Sequence, residues 1–177
     1  MSDKINQTSF KIREATINDV SALAAVHVDT FNETHGMYPN APTYKLREYQ
    51  WQKAFQDKDQ SWFCFVIEDE NGRLIGFAKG QLYNHADHRE FSGELNKVYL
   101  LRKYHKLGLG RQLICKVAHE FIRRGVSSML LFGDADNASN KFYEQMGAAK
   151  LFAKNGKFHG DYGWTDLQKL VANCAPT

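Results

Sequence analysis

The sequence lacks several features that mark special classes of protein. Its 177 residues include only three prolines and three cysteines, and its formal net charge is +3. No two cysteines have the C-x-x-C spacing of zinc sites and thioredoxin-like proteins, so both classes are excluded. No apolar run approaches the roughly 18 residues of a membrane-spanning helix, and residues 1–9 do not resemble a signal segment. We therefore expect a cytoplasmic protein, with no membrane partner, in which Cys64 and Cys115 are ordinary buried thiols.

The composition is that of a folded globular protein. Hydrophobic residues make up 43% of the chain and charged residues 24%, and aromatic residues reach 13%, which excludes disorder of the whole chain. The weak net charge argues against a nucleic-acid partner. Arg102, Lys103, Lys106 and Arg111 lie close together and favour a local anionic ligand. With no repeat or linker in the sequence, we predict a single domain over residues 10–170 and short flexible tails at 1–9 and 171–177.

Alternating and helical patterns predict the elements in the order β-α-α-β-β-β-α-β-α-β-β. Thr16 and Asp19 are typical of the start of the first helix, and Gly125 of the end of the third. The predicted strands cover residues 10–15, 62–67, 74–82, 94–101, 128–132, 150–153 and 159–164, and the later helices 44–55, 108–124 and 137–146. Hairpins combined with a strand–helix–strand crossover indicate a mixed sheet with helices on its faces.

A glycine-bearing loop, Y-H-K-L-G-L-G-R at residues 104–111, is the most informative segment. It follows a predicted strand and opens a predicted helix, so its backbone N–H groups and the helix dipole can form a cradle for an anion. A Rossmann loop would need glycine or alanine where Leu113 stands, and no P-loop string is present. The pattern that remains is Q/R-x-x-G-x-G/A, the pyrophosphate loop of acetyl-CoA-dependent acyltransferases. Taken alone, the loop supports this interpretation and a plain glycine-bearing turn equally.

Four blocks in order make the chain resemble the GNAT superfamily of N-acetyltransferases over residues 10–170. They are I-R-E-A-T at 12–16, L-I-G-F-A at 74–78, residues 94–111, and D-N-A-S-N-K-F-Y-E-Q-M-G at 136–147. The last string is similar to the superfamily's N-x-x-x-x-F-Y-E-x-x-G block. Two positions depart from the pattern: His105 stands where Gln or Arg is usual, and Arg102 where proline is frequent.

The resemblance implies an α/β fold, with a central, mostly antiparallel sheet of about seven strands flanked by four helices. It also implies a V-shaped split between strands 4 and 5. The implied reaction transfers acetyl from acetyl-CoA to a primary amine of a small molecule or peptide, by direct attack in a ternary complex and without a metal. The alternative is a non-catalytic acyl-CoA-binding module of the same fold. Homodimers are common in the superfamily, so the resemblance makes a homodimer possible by analogy alone, and the sequence does not fix the oligomeric state.

The resemblance also assigns the residues that bind acetyl-CoA. The strand before the loop would pair with the pantetheine arm through its backbone, and the loop would hold the pyrophosphate. Asn137 would contact the pantetheine, although its residue type first predicts an N-cap for the following helix. The expected cofactor-binding residues are Val98, Tyr99, Leu100, His105, Lys106, Leu107, Gly108, Leu109, Gly110, Arg111 and Asn137.

Two side chains are expected to catalyse the reaction. An alkyl amine has a pKa near 10, so only about one molecule in a thousand is neutral at pH 7. Glu94 resembles the family's catalytic glutamate and would act as the base, unless it is a solvated carboxylate at the strand's edge. Tyr143 would protonate the departing thiolate, unless it is only a packed helix residue; the adjacent Phe142 is expected to face the core.

The remaining candidates are weaker. His85, Asp87 and His88 lack further metal ligands, and His27 fits a core histidine better than a ligand. A Cys115–His119 nucleophile is not expected, because that helix should pack on the sheet. We expect the acceptor pocket between the first two helices and the C-terminal hairpin, with its acids favouring a cationic amine. Its candidate residues are Asp29, Thr30, Glu33, His35, Tyr38, Phe158, Asp161 and Tyr162.

Overall fold

A computed structural model describes residues 10–36 and 39–174. Within these residues it contains seven strands and five α-helices, with short 3-10 turns at Ile17–Asp19 and Arg102–Tyr104. The strands are β1 (Lys11–Glu14), β2 (Trp62–Glu68), β3 (Leu74–Leu82), β4 (Gly93–Leu100), β5 (Met129–Leu131), β6 (Ala149–Phe152) and β7 (Phe158–Trp164). The helices are α1 (Val20–His35), α2 (Tyr44–Gln56), α3 (Leu109–Arg123), α4 (Asn140–Gln145) and α5 (Leu167–Ala172).

The strands form a seven-stranded mixed sheet in the order β1-β2-β3-β4-β5-β7-β6. The pairs β1–β2, β5–β7 and β6–β7 are antiparallel. β4 and β5, where we expected the sheet to split, are parallel neighbours that pair Gly93 with Met129 and Glu94 with Leu130. The predicted fold class is therefore confirmed, with five helices in place of the expected four.

The chain groups into two compact units. The first contains the described residues up to Lys79 together with Lys97–Leu113, and the second contains Gly80–Asn96 and the described residues from Ile114 onwards. The strands β3 and β4 and the helix α3 each contribute to both units. The single domain over residues 10–170 stays a prediction.

In the first unit, the entry into α1 is fixed by a capping box. The backbone N–H and the hydroxyl of Thr16 both donate to the Asp19 carboxylate, at 2.8 and 3.2 Å. Arg13 on β1 binds the same carboxylate at 2.8 Å and also Glu68 on β2. These bonds to Arg13 hold the pKa of Asp19 below its usual range. The predicted helix start is thus confirmed, preceded by one 3-10 turn.

In the second unit, α3 buries an apolar stripe. Val117 and Phe121, one turn apart, are both fully buried, as expected for positions separated by four residues. A Cβ at Gly93 of β4 would lie 2.9 Å from the Phe121 ring, so the absent side chain allows this close packing. Gly125 follows the helix with φ +78°, the left-handed conformation that ends many helices.

The C-terminal region differs from the sequence-based prediction. α5 was not predicted; Asp166 caps it by accepting from the N–H groups of Gln168 and Lys169, and it runs past residue 170. α4 begins later than expected, because the Asn137 side chain accepts from the Ser139 N–H at 2.8 Å in a turn before the helix. Ser139, not Asn137, occupies the N-cap position of α4.

The expectation for the cysteines is half wrong. Cys64 is a free, buried thiol, as predicted, and burial raises its pKa. Cys115 is not a thiol: it forms a disulfide with Cys174 across a sequence separation of 59 residues. No spacing in the sequence marks this pair, because contact between α3 and the segment after α5 depends on the tertiary fold.

Candidate active site

The predicted pyrophosphate loop is a tight turn between β4 and α3. After the 3-10 turn, the chain takes left-handed conformations at Lys106 (φ +62°) and Gly108 (φ +78°). Gly108 then accepts the first helical hydrogen bond, from Gln112, at 3.1 Å. The N–H groups of Leu109 and Gly110 lie in the first turn of α3, where no preceding helical carbonyl is available to accept their hydrogen bonds. This backbone arrangement has the geometry of the cradle that the glycines predicted, and its binding of an anion stays a prediction.

His105 has a structural role in the loop. Its backbone N–H donates to the Arg102 carbonyl at 3.0 Å, and its Nε2 atom lies 2.7 Å from the Leu100 carbonyl oxygen. Its side chain thus ties the loop back to the end of β4. This contact fastens the turn, and the cofactor-binding role of His105 stays a prediction.

The end of β4 is held close to β3. A Cβ on Gly76 would lie 2.7 Å from the Tyr99 carbonyl oxygen and 2.9 Å from the Leu100 side chain. The next N–H, that of Leu101, donates to the Ile75 carbonyl at 2.9 Å. Together with Val98, the residues Tyr99 and Leu100 are half-buried. These three are the residues predicted to pair with pantetheine.

Glu94, in the second unit, is held by two side-chain amides. Its Oε2 accepts from Gln81 Nε2 at 2.8 Å, and its Oε1 accepts from Asn96 Nδ2 at 2.9 Å. The carboxylate is half-buried and occupies the β4 position that pairs with Leu130 of β5. Both partners are uncharged, so the group is oriented without being neutralised by an ion pair. An oriented carboxylate of this kind can serve as a general base.

Tyr143 lies in α4 of the same unit and is more enclosed than expected. It is 8% exposed, and its ring lies 5.7 Å from that of Tyr162 and 6.4 Å from that of Trp164. Phe142, which we expected to face the core, is the less buried of the two neighbours. The expectation for Phe142 is therefore wrong, because the aromatic cluster encloses position 143. The roles of Glu94, Tyr143 and Asn137 stay predictions.

Several residues expected at the acceptor pocket are engaged elsewhere. Thr30 is buried and donates to the Val26 carbonyl at 2.6 Å. Glu33 accepts from the Arg102 N–H at 2.7 Å, so α1 is joined to the end of β4. Tyr162 is fully buried. Tyr38 lies outside the described residues.

The other acceptor candidates remain near the surface of their units. Asp29 lines two cavities of about 240 and 340 Å³ in the first unit, and His35 packs against the Phe31 ring at 4.6 Å. Asp161 accepts from the Gly133 N–H at 3.2 Å, and the ring of Phe158 lies 5.9 Å from that of Phe152. The larger of these two cavities is also lined by Tyr104, the first residue of the predicted loop.

A cluster that sequence reasoning did not assemble lies between α1, α2 and β4. His27 is 2% exposed, and its Nδ1 accepts from Trp51 Nε1 at 3.3 Å. Its ring lies 5.2 Å from those of Phe77 and Tyr99. Burial, with smaller effects from Arg47 and Lys97, lowers the pKa of His27 to about 3. The prediction of a satisfied core histidine is confirmed.

Two negative findings concern only the described part of the chain. Within residues 10–36 and 39–174, no group of three or more His, Cys, Asp or Glu side chains is arranged to hold a metal ion. In the same residues, no helix combines the length and apolar character needed to cross a membrane.

Comparison with known proteins agrees with this geometry. The model of the acetyltransferase (GNAT) family matches residues 24–148. An uncharacterised N-acetyltransferase, YuaI of Bacillus subtilis strain 168, is 32% identical over 171 residues, which cover 90% of this chain and 95% of the relative.

Solved structures share the fold at lower identity. The PaiA N-acetyltransferase of Thermoplasma acidophilum, in complex with coenzyme A, superposes with a TM-score of 0.68 at 17% identity, over 88% of this chain and 98% of that one. YncA of Salmonella typhimurium, with its cofactor acetyl-CoA, gives 0.64 at 19% identity, over 96% and 98% of the two chains. Since the family model covers more than half of the sequence, the chain belongs to the GNAT family of acetyltransferases.

Proposed function

We propose that the protein transfers acetyl from acetyl-CoA to a primary amine, by direct attack of the amine in a ternary complex. Family membership supports acetyl transfer from acetyl-CoA in general, and two structural relatives are described with coenzyme A or acetyl-CoA. Acetyl-CoA supplies the acetyl group as a thioester. The primary amine and the roles of individual residues belong to the proposal.

The turn at Lys106 and Gly108 carries the proposal, because it presents backbone donors where a diphosphate would lie. A diphosphate is a compact anion, and the first turn of a helix offers it both N–H groups and the positive end of the helix dipole. Lys106 is exposed beside the turn and adds positive charge. The residues present therefore fit the pyrophosphate of coenzyme A.

Glu94 and Tyr143 move the two protons of the reaction. As the amine nitrogen bonds to the acetyl carbon, Glu94 accepts the proton that the nitrogen loses, directly or through water. The carbon–sulfur bond breaks, and the Tyr143 hydroxyl gives its proton to the sulfur. The fixed Glu94 carboxylate and the enclosed Tyr143 ring support these assignments, because proton transfer requires positioned groups.

Coenzyme A binding tests the loop, and the chain offers a matched control. Gly108 and Gly125 both have φ +78°, so alanine at either position should cost a similar roughly 1–2 kcal/mol of stability. Isothermal titration calorimetry should show that Gly108→Ala weakens coenzyme A binding at least tenfold, while Gly125→Ala binds like wild type. Absence of binding by folded wild-type protein would refute the proposal.

Measuring turnover distinguishes an acetyltransferase from a non-catalytic acyl-CoA-binding module. In a thiol-release assay with acetyl-CoA and a panel of amines, Glu94→Gln and Tyr143→Phe should each lower kcat by about a hundredfold or more, with coenzyme A affinity retained. Tyr83→Phe is the control, because Tyr83 is a buried tyrosine of the same unit whose hydroxyl donates to the Asp87 carbonyl. Wild-type turnover by Tyr143→Phe would remove the proton-donor role. Binding without turnover of any amine would favour the non-catalytic module.

A further inference from the structure

Arg47, on α2, is a half-buried cation whose guanidinium is incompletely satisfied. Its Nε atom is buried and has no hydrogen-bond partner among the described residues. Its Nη1 donates to Gln50 Oε1 at 3.0 Å, and the guanidinium carbon lies 5.9 Å from the centre of the Phe31 ring. In the described part of the chain, Arg47 forms no ion pair.

The incomplete hydrogen bonding of the Arg47 guanidinium is energetically unfavourable in the protein without a ligand. An unpaired buried polar group is unfavourable, and more so when the group is charged. Contact with an aromatic ring offsets only part of that cost. Burial lowers the pKa of Arg47 below its ordinary value, and the neighbouring Tyr99 offsets that effect only in part. A ligand that brought an anionic group to the accessible part of the guanidinium would pair the charge of Arg47.

The nearby carboxylates do not fill this role. Glu48, the next residue, accepts at Oε1 from the hydroxyls of Ser21 and Tyr44, at 3.0 and 2.7 Å. Glu33 on α1 accepts from the Arg102 N–H. The carboxylates of Glu48 and Glu33 are therefore engaged with other residues.

The surroundings of Arg47 are aromatic and positive. Lys97 and Tyr99 stand two residues apart on β4 and so share one face of the strand. Arg47 and Lys97 both lower the pKa of the buried His27, after the larger effect of burial, so both charges act on the same region. The ring of Tyr99 packs on His27 and Phe77. Aromatic walls with a forked cation suit a small molecule that carries an anion.

We infer that Arg47 binds a carboxylate of the acceptor, so that the acceptor is an amino acid or a similar amine bearing a carboxylate. The inference rests on the proposed function and narrows it, because a cationic amine without an anionic group would gain nothing from Arg47. The planar guanidinium can donate two parallel hydrogen bonds to a carboxylate, which a lysine cannot reproduce. Arg47 is thus a residue that determines acceptor specificity and takes no part in the proton transfers.

The test compares free L-amino acids with their primary amides as acceptors, in the thiol-release assay with acetyl-CoA. Wild type should use the preferred acid with kcat/KM at least tenfold above its amide. Arg47→Gln should raise KM for the acid about thirtyfold or more, change kcat little, and alter the amide less than threefold. Arg47→Lys should fall between the two. Lys45→Gln is the control, because it removes an exposed charge from the same helix.

A binding measurement covers the case in which no amino acid is acetylated. Calorimetry of the wild-type complex with coenzyme A should detect N-acetyl amino acids and not their amides, and Arg47→Gln should lose that binding while still taking up coenzyme A. The inference is overturned if acids and amides are used equally, if Arg47→Gln weakens both alike, or if the acids neither react nor bind. In each of these cases coenzyme A uptake and turnover of another amine would leave the proposed function standing.

Discussion

The disulfide between Cys115 and Cys174 should supply a large part of the stability of the oxidised protein. It joins residues 59 apart in sequence, with Cα atoms 6.1 Å apart. A cross-link over a loop of this length lowers the entropy of the unfolded chain by an amount worth about 4 kcal/mol at 25 °C. Domains are typically stable by about 5–15 kcal/mol, so loss of the disulfide should be readily measured.

The native fold should survive without the disulfide. Cys174 follows α5, and α5 has its own anchors: the Asp166 cap and the buried side chains of Leu167 and Leu170. Reduction should therefore lower the free energy of unfolding by about 4 kcal/mol, mainly through the unfolded state.

Thiol titration and urea unfolding test this prediction together. The denatured, unreduced protein should show one reactive thiol, that of Cys64, and three after reduction. Cys174→Ser should unfold at lower urea than oxidised wild type, and a reducing agent should bring wild type close to the variant while leaving the variant unchanged. Three thiols in the unreduced protein, or coincident unfolding curves for oxidised wild type and Cys174→Ser, would refute the reasoning.

Two further predictions concern buried positions. His27 has a native pKa of about 3 against about 6.5 unfolded, so below pH 6.5 the unfolded state binds the extra proton and stability falls by up to about 1.4 kcal/mol per pH unit. His27→Asn should remove this contribution to the pH dependence of the unfolding free energy, measured by urea unfolding between pH 7 and 4. An equal pH dependence in wild type and variant would contradict the assignment. Gly160 has φ +108°, and a Cβ there would lie 2.2–2.5 Å from the Asp134 backbone, whereas Gly156 at φ +78° has open space. Thermal unfolding should therefore show Gly160→Ala several kcal/mol less stable than wild type and Gly156→Ala only about 1–2 kcal/mol less stable; similar losses would argue against the close approach.

Local patterns predicted the elements that carry strong local signals. The strand predicted at residues 74–82 is β3 (Leu74–Leu82) without change, and the helix predicted at 44–55 is α2 (Tyr44–Gln56). The start of α4 was predicted too early, because the Asn137 side chain serves a turn that competes with helix capping. The short α5 was missed although Asp166 and two leucines at helical spacing mark it.

The geometry of the loop could be predicted from the sequence, whereas the surroundings of Arg47 could not. Gly108 adopts the left-handed conformation for which glycine is suited, so a local motif predicted its geometry. The role that we infer for Arg47 depends on its neighbours Phe31 on α1 and Tyr99 on β4, which are distant from it in sequence. The packing of these three elements decides which carboxylates accept hydrogen bonds from other residues and which cation keeps an unsatisfied donor. No spacing of residues in the sequence predicts that outcome.

Packing within the second unit bears on which tyrosine can supply a proton. The second unit places Tyr143 and Tyr162 in one aromatic cluster, with ring centres 5.7 Å apart. The Tyr162 hydroxyl donates to Glu144 Oε1 at 2.8 Å, and burial together with that carboxylate raises the pKa of Tyr162 to about 12. The Tyr162 hydroxyl thus donates its hydrogen bond to an anion. Its pKa lies several units above the pKa near 8.5 of a thiol, so Tyr162 is too weak an acid to protonate the departing thiolate. The proposal therefore assigns proton donation to Tyr143 and leaves Tyr162 as its packing partner.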